Sequence, residues 1–187
     1  MLSGFTQYNE ALTEEELSTM HALLTKQAFE KDEQLLSKGH ICRNLYFLES
    51  GLVRCHTFEE DRMLWCEFEG SFFTSMSSFV GQTPARECLT FIEPSVVYAI
   101  SHKNLSDLYQ RSHAWANWGR SFAEQWYTAI EALYQSLLYK TASERYEDLL
   151  AIRPDIVQRV PLYHIASFLG ISPVSLSRIR VGKQSRS

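Results

Sequence analysis

The sequence predicts an α+β protein with an N-terminal antiparallel β-barrel or jelly roll, a long central helix and a C-terminal all-α helix-turn-helix. Three observations support this order of elements. Between about residues 28 and 101, short apolar or alternating runs are separated by Gly, Pro, Asn and Asp, as in all-β domains. Beyond about residue 103 the apolar period becomes helical. Near the end, HIASFLGISPVSLSRIR at 164–180 has the spacing of two short helices around a glycine.

The composition limits the class of protein. The 187 residues, 45% of them hydrophobic, suffice for one compact domain or for one domain with a small appendage. No apolar run approaches the roughly 18 residues of a membrane span, and the N-terminus lacks the basic and apolar regions of a secretory signal. We therefore expect a cytoplasmic protein without a membrane partner. Cysteines without CxxC spacing indicate reduced thiols rather than disulfides or a metal site: Cys42, Cys55, Cys66 and Cys88.

The charge is distributed unevenly along the chain. The net charge is −4, yet residues 155–187 contain a single acid, Asp155, against five basic residues: Arg159, Arg178, Arg180, Lys183 and Arg186. An acidic body with a basic C-terminal segment indicates a nucleic-acid contact confined to that segment. A solvated basic tail is the alternative.

The N-terminal half is predicted as one helix followed by strands. The first 30 residues are predicted as helix, because Thr13 and Glu16 have the spacing of a capping box ahead of an apolar run. Strand-like segments follow, and Gly39, Gly51 and Gly70 end successive runs. The segment FLESGLVR at 47–54 predicts a hairpin in which Gly51 adopts a positive φ.

Three helices are predicted between the strands and the C-terminal motif. The segments HKNLSDLYQR at 102–111 and TASERYEDLLAI at 141–152 predict short helices, the second ending near Pro154. Between them, apolar residues recur at spacings of 3 and 4 in a near-heptad stripe. We favour a homodimer that pairs through 115–137, and packing within the chain is the alternative. The stripe is Trp115, Trp118, Phe122, Trp126, Ala129, Leu133 and Leu137.

The C-terminal segment has the residue pattern of a helix-turn-helix. With Leu162 as position 1, small and apolar residues occupy positions 4, 5, 8, 9, 10, 15 and 18: Ile165, Ala166, Leu169, Gly170, Ile171, Leu176 and Ile179. Ala166 is small where the second helix crosses, and Gly170 permits the turn. Ser172 suits the N-cap of the second helix, and Pro173 suits its first turn. A helical hairpin with only a packing role is the alternative.

The second helix of such a motif enters the major groove of DNA with its N-terminal residues toward base edges. We therefore predict double-stranded DNA as a partner, and Arg178 can bridge guanine O6 and N7 or bind a phosphate. His164, in the first helix, is expected at the surface, with a phosphate contact as the alternative. Lys183 and Arg186 are expected near phosphates. The candidate DNA-binding residues in recognition helix 172–180 are Ser172, Pro173, Val174, Ser175, Ser177, Arg178 and Arg180.

The order of these elements resembles the Crp/Fnr family of bacterial transcription regulators over nearly the whole chain. The segments LLSKGHICRNLYFLESGLVR, EFEGSFF and FIEPSVVYAIS are similar to that family's strand and turn-glycine segments. Since seven residues follow Arg180, the chain most resembles a short branch without a wing hairpin. The resemblance implies a cyclic nucleotide-binding-like effector domain over 1–112, a dimerisation helix over 113–139 and a DNA-binding domain over 140–187. RNA polymerase is a further candidate partner.

One departure from the family pattern concerns the ligand. Relatives that bind cyclic AMP carry a Gly-Glu pair, whose Glu takes the ribose hydroxyl, and an Arg-Ser pair, whose Arg neutralises the cyclic phosphate. Here Thr74 and Ser75 replace the first pair, and Ala85 and Arg86 replace the second. We therefore expect no cofactor and disfavour cyclic AMP. Another small effector at Thr74, Ser75, Arg86 and Phe122 stays open, although we favour a core and dimer-seam role for the aromatic residues of the long helix.

A second departure lies in the recognition helix. Pro173 and Val174 replace the Arg and Glu of many relatives, which predicts a different operator preference. We predict a homodimeric, sequence-specific DNA-binding regulator with a degenerate cyclic nucleotide pocket. The alternative is a ligand-sensing or protein-interaction module whose DNA-binding part no longer reads DNA. An enzyme is not expected, because P-loop, GxSxG and HExxH motifs are lacking and the acids at 59–61 suit a solvated turn.

Overall fold

The computed structural model describes the backbone of residues 12–184 and the side chains of residues 12–181. The described strands are β1 (Thr25–Phe29), β2 (Gln34–Leu36), β3 (Asn44–Ser50), β4 (Leu52–Thr57), β5 (Met63–Phe68), β6 (Phe72–Phe73), β7 (Glu87–Phe91) and β8 (Ser95–Ser101). The described helices are α1 (Glu14–Leu23), α2 (Met76–Gly81), α3 (His102–Arg111), α4 (His113–Tyr139), α5 (Ala142–Ile152), α6 (Ile156–Arg159), α7 (Leu162–Leu169) and α8 (Pro173–Gln184).

The strands form two four-stranded antiparallel sheets, in the orders β1-β8-β3-β6 and β2-β7-β4-β5. Leu48 and Val97 of the first sheet share a buried core with Val53 and Leu89 of the second. Burial of these side chains between the sheets supplies the main driving force for the barrel. The predicted α+β fold class is confirmed, with a β-rich N-terminal part, a 27-residue helix and C-terminal helices.

The predicted hairpin at FLESGLVR is wrong. Strand β3 pairs with β6 and β8, whereas β4 pairs with β5 and β7, so the chain passes from one sheet to the other at Gly51. The predicted positive φ is correct, at +102°, and a Cβ at this position would lie 2.0 Å from Ser95 Oγ. A local alternation pattern marks the turn but does not specify which sheet the second strand joins.

The N-terminal helix is shorter than predicted. The capping box is confirmed, because the Thr13 hydroxyl accepts from the Glu16 N–H and the Glu16 carboxylate accepts from the Thr13 N–H. The helix ends at Leu23, and residues 25–29 form β1, which pairs in register with β8. Pairing with a sheet edge decides the conformation of this short segment more strongly than local propensity does. The part of the predicted helix before residue 12 lies outside the described residues.

The apolar stripe of α4 divides into two parts. Trp115, Trp118 and Phe122 are buried in the core of the chain's own barrel, where the Trp118 and Phe122 rings stack with centroids 5.5 Å apart. These three residues follow the intrachain alternative, and assigning them to a dimer seam was wrong. Beyond Trp126 the helix extends past the barrel, and most of its side chains are exposed.

The C-terminal helices pack directly on the barrel. A second core joins Leu52 and Phe68 of the barrel to Ile156 and Leu169 of the C-terminal helices. The Met63 N–H at the start of β5 donates to Ser167 Oγ in α7 at 3.1 Å. These contacts give the helix-turn-helix a defined orientation relative to the barrel.

We expect Gly51→Ala to lower the free energy of unfolding by about 2–4 kcal/mol, because it adds a contact with Ser95 to an unfavourable backbone conformation. Gly39→Ala is the matched control, since Gly39 also has a positive φ of +88°, but a Cβ added there would have no heavy atom within 4 Å. Backbone strain alone should cost the control about 1 kcal/mol. Urea unfolding measures both values, and equal losses would contradict a steric constraint at Gly51.

Candidate DNA interface and effector pocket

Helices α7 and α8 form the predicted helix-turn-helix. Ile165, Ala166, Leu169 and Leu176 are buried between them and the neighbouring elements. Gly170 ends α7 with a φ of +69°, a conformation that glycine adopts without steric cost. The Ser175 N–H donates to Ser172 Oγ at 3.1 Å, so Ser172 caps α8 at its N-terminus as the sequence predicts. Pro173 is the first residue of α8, where a missing N–H leaves no hydrogen bond unmade.

The candidate DNA-binding residues lie along the outer face of α8. Ser172, Pro173, Val174, Ser177 and Arg178 are exposed, whereas Ser175 and Arg180 are half-buried. Val174 exposes 62% of its surface, so the exposed set includes an apolar side chain. The side chains of Lys183 and Arg186 lie outside the described residues. The exposed set presents hydroxyl, apolar and guanidinium groups, which suit phosphate contacts, thymine methyl contacts and guanine recognition respectively.

Arg159 does not belong to this face, although it contributes to the basic charge of the C-terminal segment. Its Nη1 and Nη2 atoms donate to the two carboxylate oxygens of Glu69 at 2.9 Å, and Nη2 also pairs with Glu93. Nη2 donates further to the carbonyl oxygen of Gly51 at 3.1 Å. These hydrogen bonds lower the pKa of Glu69 and raise the pKa of Arg159. The charge count therefore overstated the cations available to DNA, because this one is neutralised against the barrel.

His164 is buried, which corrects both the predicted surface role and the alternative phosphate contact. It lies in α7 with its ring centroid 4.0 Å from that of Tyr163. Burial, followed by the nearby charge of Arg54, lowers the pKa of His164 to about 4. The imidazole is therefore neutral near pH 7 and acts as part of the packing between α7 and the barrel.

At the positions that the resemblance assigned to ribose and phosphate contacts, the polar groups make hydrogen bonds with other groups of the chain. The Ser75 hydroxyl donates to one oxygen of Glu87 at 2.5 Å, and the Arg86 N–H donates to the other at 3.2 Å. The Thr74 hydroxyl is buried and donates to the carbonyl oxygen of Asn44 at 2.9 Å. Sequence reasoning missed Glu87, although its place directly after Arg86 was the available signal.

Phe122 does not join Thr74, Ser75 and Arg86 in one cavity. It is buried against Phe72 and Trp118 and lines a separate cavity of about 240 Å³ between α2, α3 and α4. The Arg86 side chain is exposed, on the outside of the group around Glu87. Ser75 and Arg86 therefore bond to Glu87, Thr74 bonds to Asn44, and Phe122 belongs to the aromatic core, so the four candidate ligand residues do not form one composite pocket.

The barrel matches a known family. Residues 26–112 match the family model described as the cyclic nucleotide-binding domain. The sequence has no significant match among curated proteins. Within the part of the chain that the structure describes, no helix is both long and apolar enough to cross a membrane.

The barrel and the C-terminal helices together have the fold of bacterial proteins of known structure. FixK2 from Bradyrhizobium japonicum is 18% identical, with a TM-score of 0.73, over 87% of this chain and 85% of that one. The c-di-GMP responsive global regulator CLP from Xanthomonas campestris is 17% identical, with a TM-score of 0.68, over 91% of each chain. A protein from Eubacterium rectale described as a transcriptional regulator of the crp/fnr family is 16% identical, with a TM-score of 0.73, over 98% of this chain and 88% of that one. The predicted resemblance to Crp/Fnr regulators is confirmed in the fold.

We expect Arg159→Gln to lower the free energy of unfolding by about 1–3 kcal/mol, because Glu69 and Glu93 then lose their shared cation. Lys103→Gln is the control, since its pair with Asp107 lies on the surface of α3 and contributes less than about 0.5 kcal/mol. Thermal unfolding at low and high salt measures both changes. A loss no larger than that of the control would show that Arg159 does not hold the C-terminal helices on the barrel.

Proposed function

We propose that this chain is a sequence-specific DNA-binding transcription regulator of the Crp/Fnr type, acting in the cytoplasm as a homodimer. Helix α8 enters the major groove, and the cyclic nucleotide pocket is degenerate. The observation that carries this proposal is the division of α8 into two faces. Leu176 anchors the helix in the core, while Ser177 and Arg178 lie exposed on the outer face beside the capped N-terminus.

The exposure of the Arg178 side chain supports a role in DNA binding. Its guanidinium group makes no hydrogen bond or ion pair with the described part of the chain, in contrast to Arg159 and Arg145, whose guanidinium groups bond to protein oxygens. An exposed guanidinium on a recognition helix retains its donors for a guanine edge or a phosphate. Transcription regulators of known structure share the fold, and recruitment of RNA polymerase belongs to the same proposal.

The environment of Glu87 supports the degenerate pocket. A cyclic nucleotide brings a phosphate, and the Ser75 hydroxyl and Arg86 N–H that would face it already donate to the Glu87 carboxylate. A phosphate at this place would meet a negative charge at close range, which opposes binding. No compensating arginine stands at position 85, where Ala85 is buried. Cyclic AMP is therefore not the proposed effector.

An exposed apolar stripe on the second half of α4 supports the homodimer. Tyr127, Ile130, Tyr134 and Leu137 follow at intervals of 3, 4 and 3 and expose 69%, 45%, 61% and 45% of their surfaces. Such spacing is that of a coiled-coil seam. The proposed seam is therefore displaced around the helix from the stripe predicted from the sequence. The two stripes have Leu137 in common. Two copies joined here would present two α8 helices to a near-palindromic site.

The second candidate function is a protein-interaction module that no longer reads DNA. The specific observation that favours it is the apolar exposure around the motif, where Tyr163, Val174 and Val181 each expose more than half of their surfaces. Exposed apolar patches of this kind suit protein partners. Salt dependence separates the two functions, because a DNA binder loses affinity steeply as salt rises.

We expect Arg178→Ala to weaken binding to a duplex selected by the wild-type protein from a random pool by about tenfold or more, the cost of one lost guanine or phosphate contact. Fluorescence anisotropy at two salt concentrations measures the affinities. Arg111→Ala removes the same charge from the exposed end of α3 and should leave binding unchanged. Unchanged binding by the Arg178 variant would refute its assigned role, and failure to select any duplex would favour the interaction module.

We expect the double variant Ile130→Asp with Leu137→Asp to be a monomer in native mass spectrometry where the wild-type protein is a dimer, because charges in an apolar seam lose their solvation. The control is Thr128→Asp with Gln135→Asp, which adds two charges to a different exposed face of the same helix. The control should remain a dimer. A wild-type monomer, or a dimer that survives in the seam variant, would exclude this interface.

A further inference from the structure

A cavity of about 350 Å³ lies where the barrel, the long helix and the C-terminal helices meet. Strand β5 forms one wall and α4 another, and the helices α5, α6 and α7 close the remaining side. Its volume is in the range of small-molecule sites in proteins. Residues that represent the three parts are Trp65, Glu67, Trp126, Ala129, Leu149 and Phe168.

The walls of this cavity are apolar except at Glu67 and at the thiol of Cys66. Burial raises the pKa of that thiol to about 12, so Cys66 stays neutral and contributes no charge. The edge of Trp65 meets Trp126, with ring centroids 5.9 Å apart and ring planes at 87°. The cavity therefore offers aromatic and aliphatic surface with one carboxyl group in its wall.

The carboxyl group of Glu67 is held in an unfavourable environment for a negative charge. Burial raises its pKa to about 7, and the opposing effects of a hydrogen bond with Ser71 and the charge of Arg153 offset only part of this. Arg153 itself pairs with Asp155 and lies over the Phe68 ring, 3.7 Å from its centroid. A cation inside the cavity would stabilise the ionised form of Glu67 more directly than these groups do.

We propose that this cavity binds a small molecule with an apolar body and one protonated amine, the ammonium group paired with Glu67 and the apolar body between Trp65 and Trp126. The cavity is separate from the group around Glu87, whose residues do not line it. The ionised form of Glu67 repels a carboxylate-bearing molecule, and a neutral apolar molecule makes no ion pair with the carboxyl group. A larger groove of about 760 Å³ shares Ala129 and Phe168 with the cavity and provides an entrance between α4 and α5.

Binding of octylamine, octanol and octanoate to the full-length protein tests this assignment, since these probes share a chain length and differ in head group. Tryptophan fluorescence reports binding, because Trp65 and Trp126 line the cavity. We expect octylamine to bind about tenfold more tightly than octanol, the usual gain from a charge-assisted hydrogen bond, and octanoate not to bind. Glu67→Gln should equalise octylamine and octanol.

Two further variants make the outcome decisive. Glu131→Gln removes a carboxylate from the exposed face of α4 outside the cavity lining and should bind octylamine as the wild type does. Ala129 is exposed on α4 and lines the cavity, so Ala129→Leu adds a larger side chain to the cavity wall. This variant should abolish the binding of octylamine and of octanol. If octylamine binds equally to wild type and Glu67→Gln, or if Ala129→Leu binds it unchanged, the assignment is wrong. If octylamine does not bind to the wild type, for example because a second copy of the chain fills the cavity, the assignment is also wrong.

This proposal does not depend on the recognition helix. Loss of DNA binding in the Arg178 variant would leave the octylamine titration unchanged, because Arg178 does not line the cavity. The failure of one proposal is therefore distinguishable from the failure of the other.

Discussion

The ion pairs of Arg159 with Glu69 and Glu93 connect the two halves of this protein. Glu69 follows β5 and Glu93 follows β7, so the two carboxylates come from different loops of the barrel. One guanidinium satisfies both, lies 5.1 Å from the centroid of the Phe68 ring, and donates to the carbonyl of Gly51. A single cation therefore joins the short helix α6 to two loops of the barrel and to Gly51, where the chain changes sheets. Without it, the two carboxylates would lose the cation that they share.

This docking decides which surfaces of the C-terminal helices are used inside the molecule. Helix α7 lies against β5, with Ser167 accepting from Met63 and the neutral His164 buried. Helix α8 packs on α7 through Leu176 and keeps its other face exposed. The same arrangement leaves a cavity between α4 and the C-terminal helices, because α4 continues past the barrel edge while α5 turns back beside it. The proposed DNA surface and the proposed amine site thus result from one packing arrangement.

The long helix joins two different environments. Its first three turns belong to the barrel core, where aromatic rings from β6 and α4 pack edge to face and stacked. Its second half carries apolar side chains that the described chain leaves exposed, and Ile130 both belongs to this stripe and lines the cavity. Pairing of two chains and binding of a small molecule would therefore act on the same stretch of helix.

Sequence patterns predicted the helix-turn-helix with its turn at Gly170, the capping residues Thr13 and Ser172, and the positive φ of Gly51, because each depends on a few neighbouring residues. The sequence left open whether the first part of the α4 stripe packs in the chain's own barrel, since a near-heptad period is the same for an intrachain and an interchain helix. The sequence analysis missed the Glu87 carboxylate, which accepts hydrogen bonds from Ser75 and Arg86. Which groups bond to each other there depends on the path of the loop in the folded chain.

The sequence by itself determined that a β-rich part is followed by a long helix and a helix-turn-helix, and that most of the predicted outward residues of α8 are exposed. Only the tertiary structure decided that β3 and β4 belong to different sheets, that Arg159 and His164 serve docking, and that Glu67 faces an apolar cavity. The physical reason is the range of the interactions involved. Caps, turns and helical periods are set by residues within a few positions of each other. Ion pairs, sheet partners and cavities are set by groups that lie far apart along the chain and meet only when the core has formed.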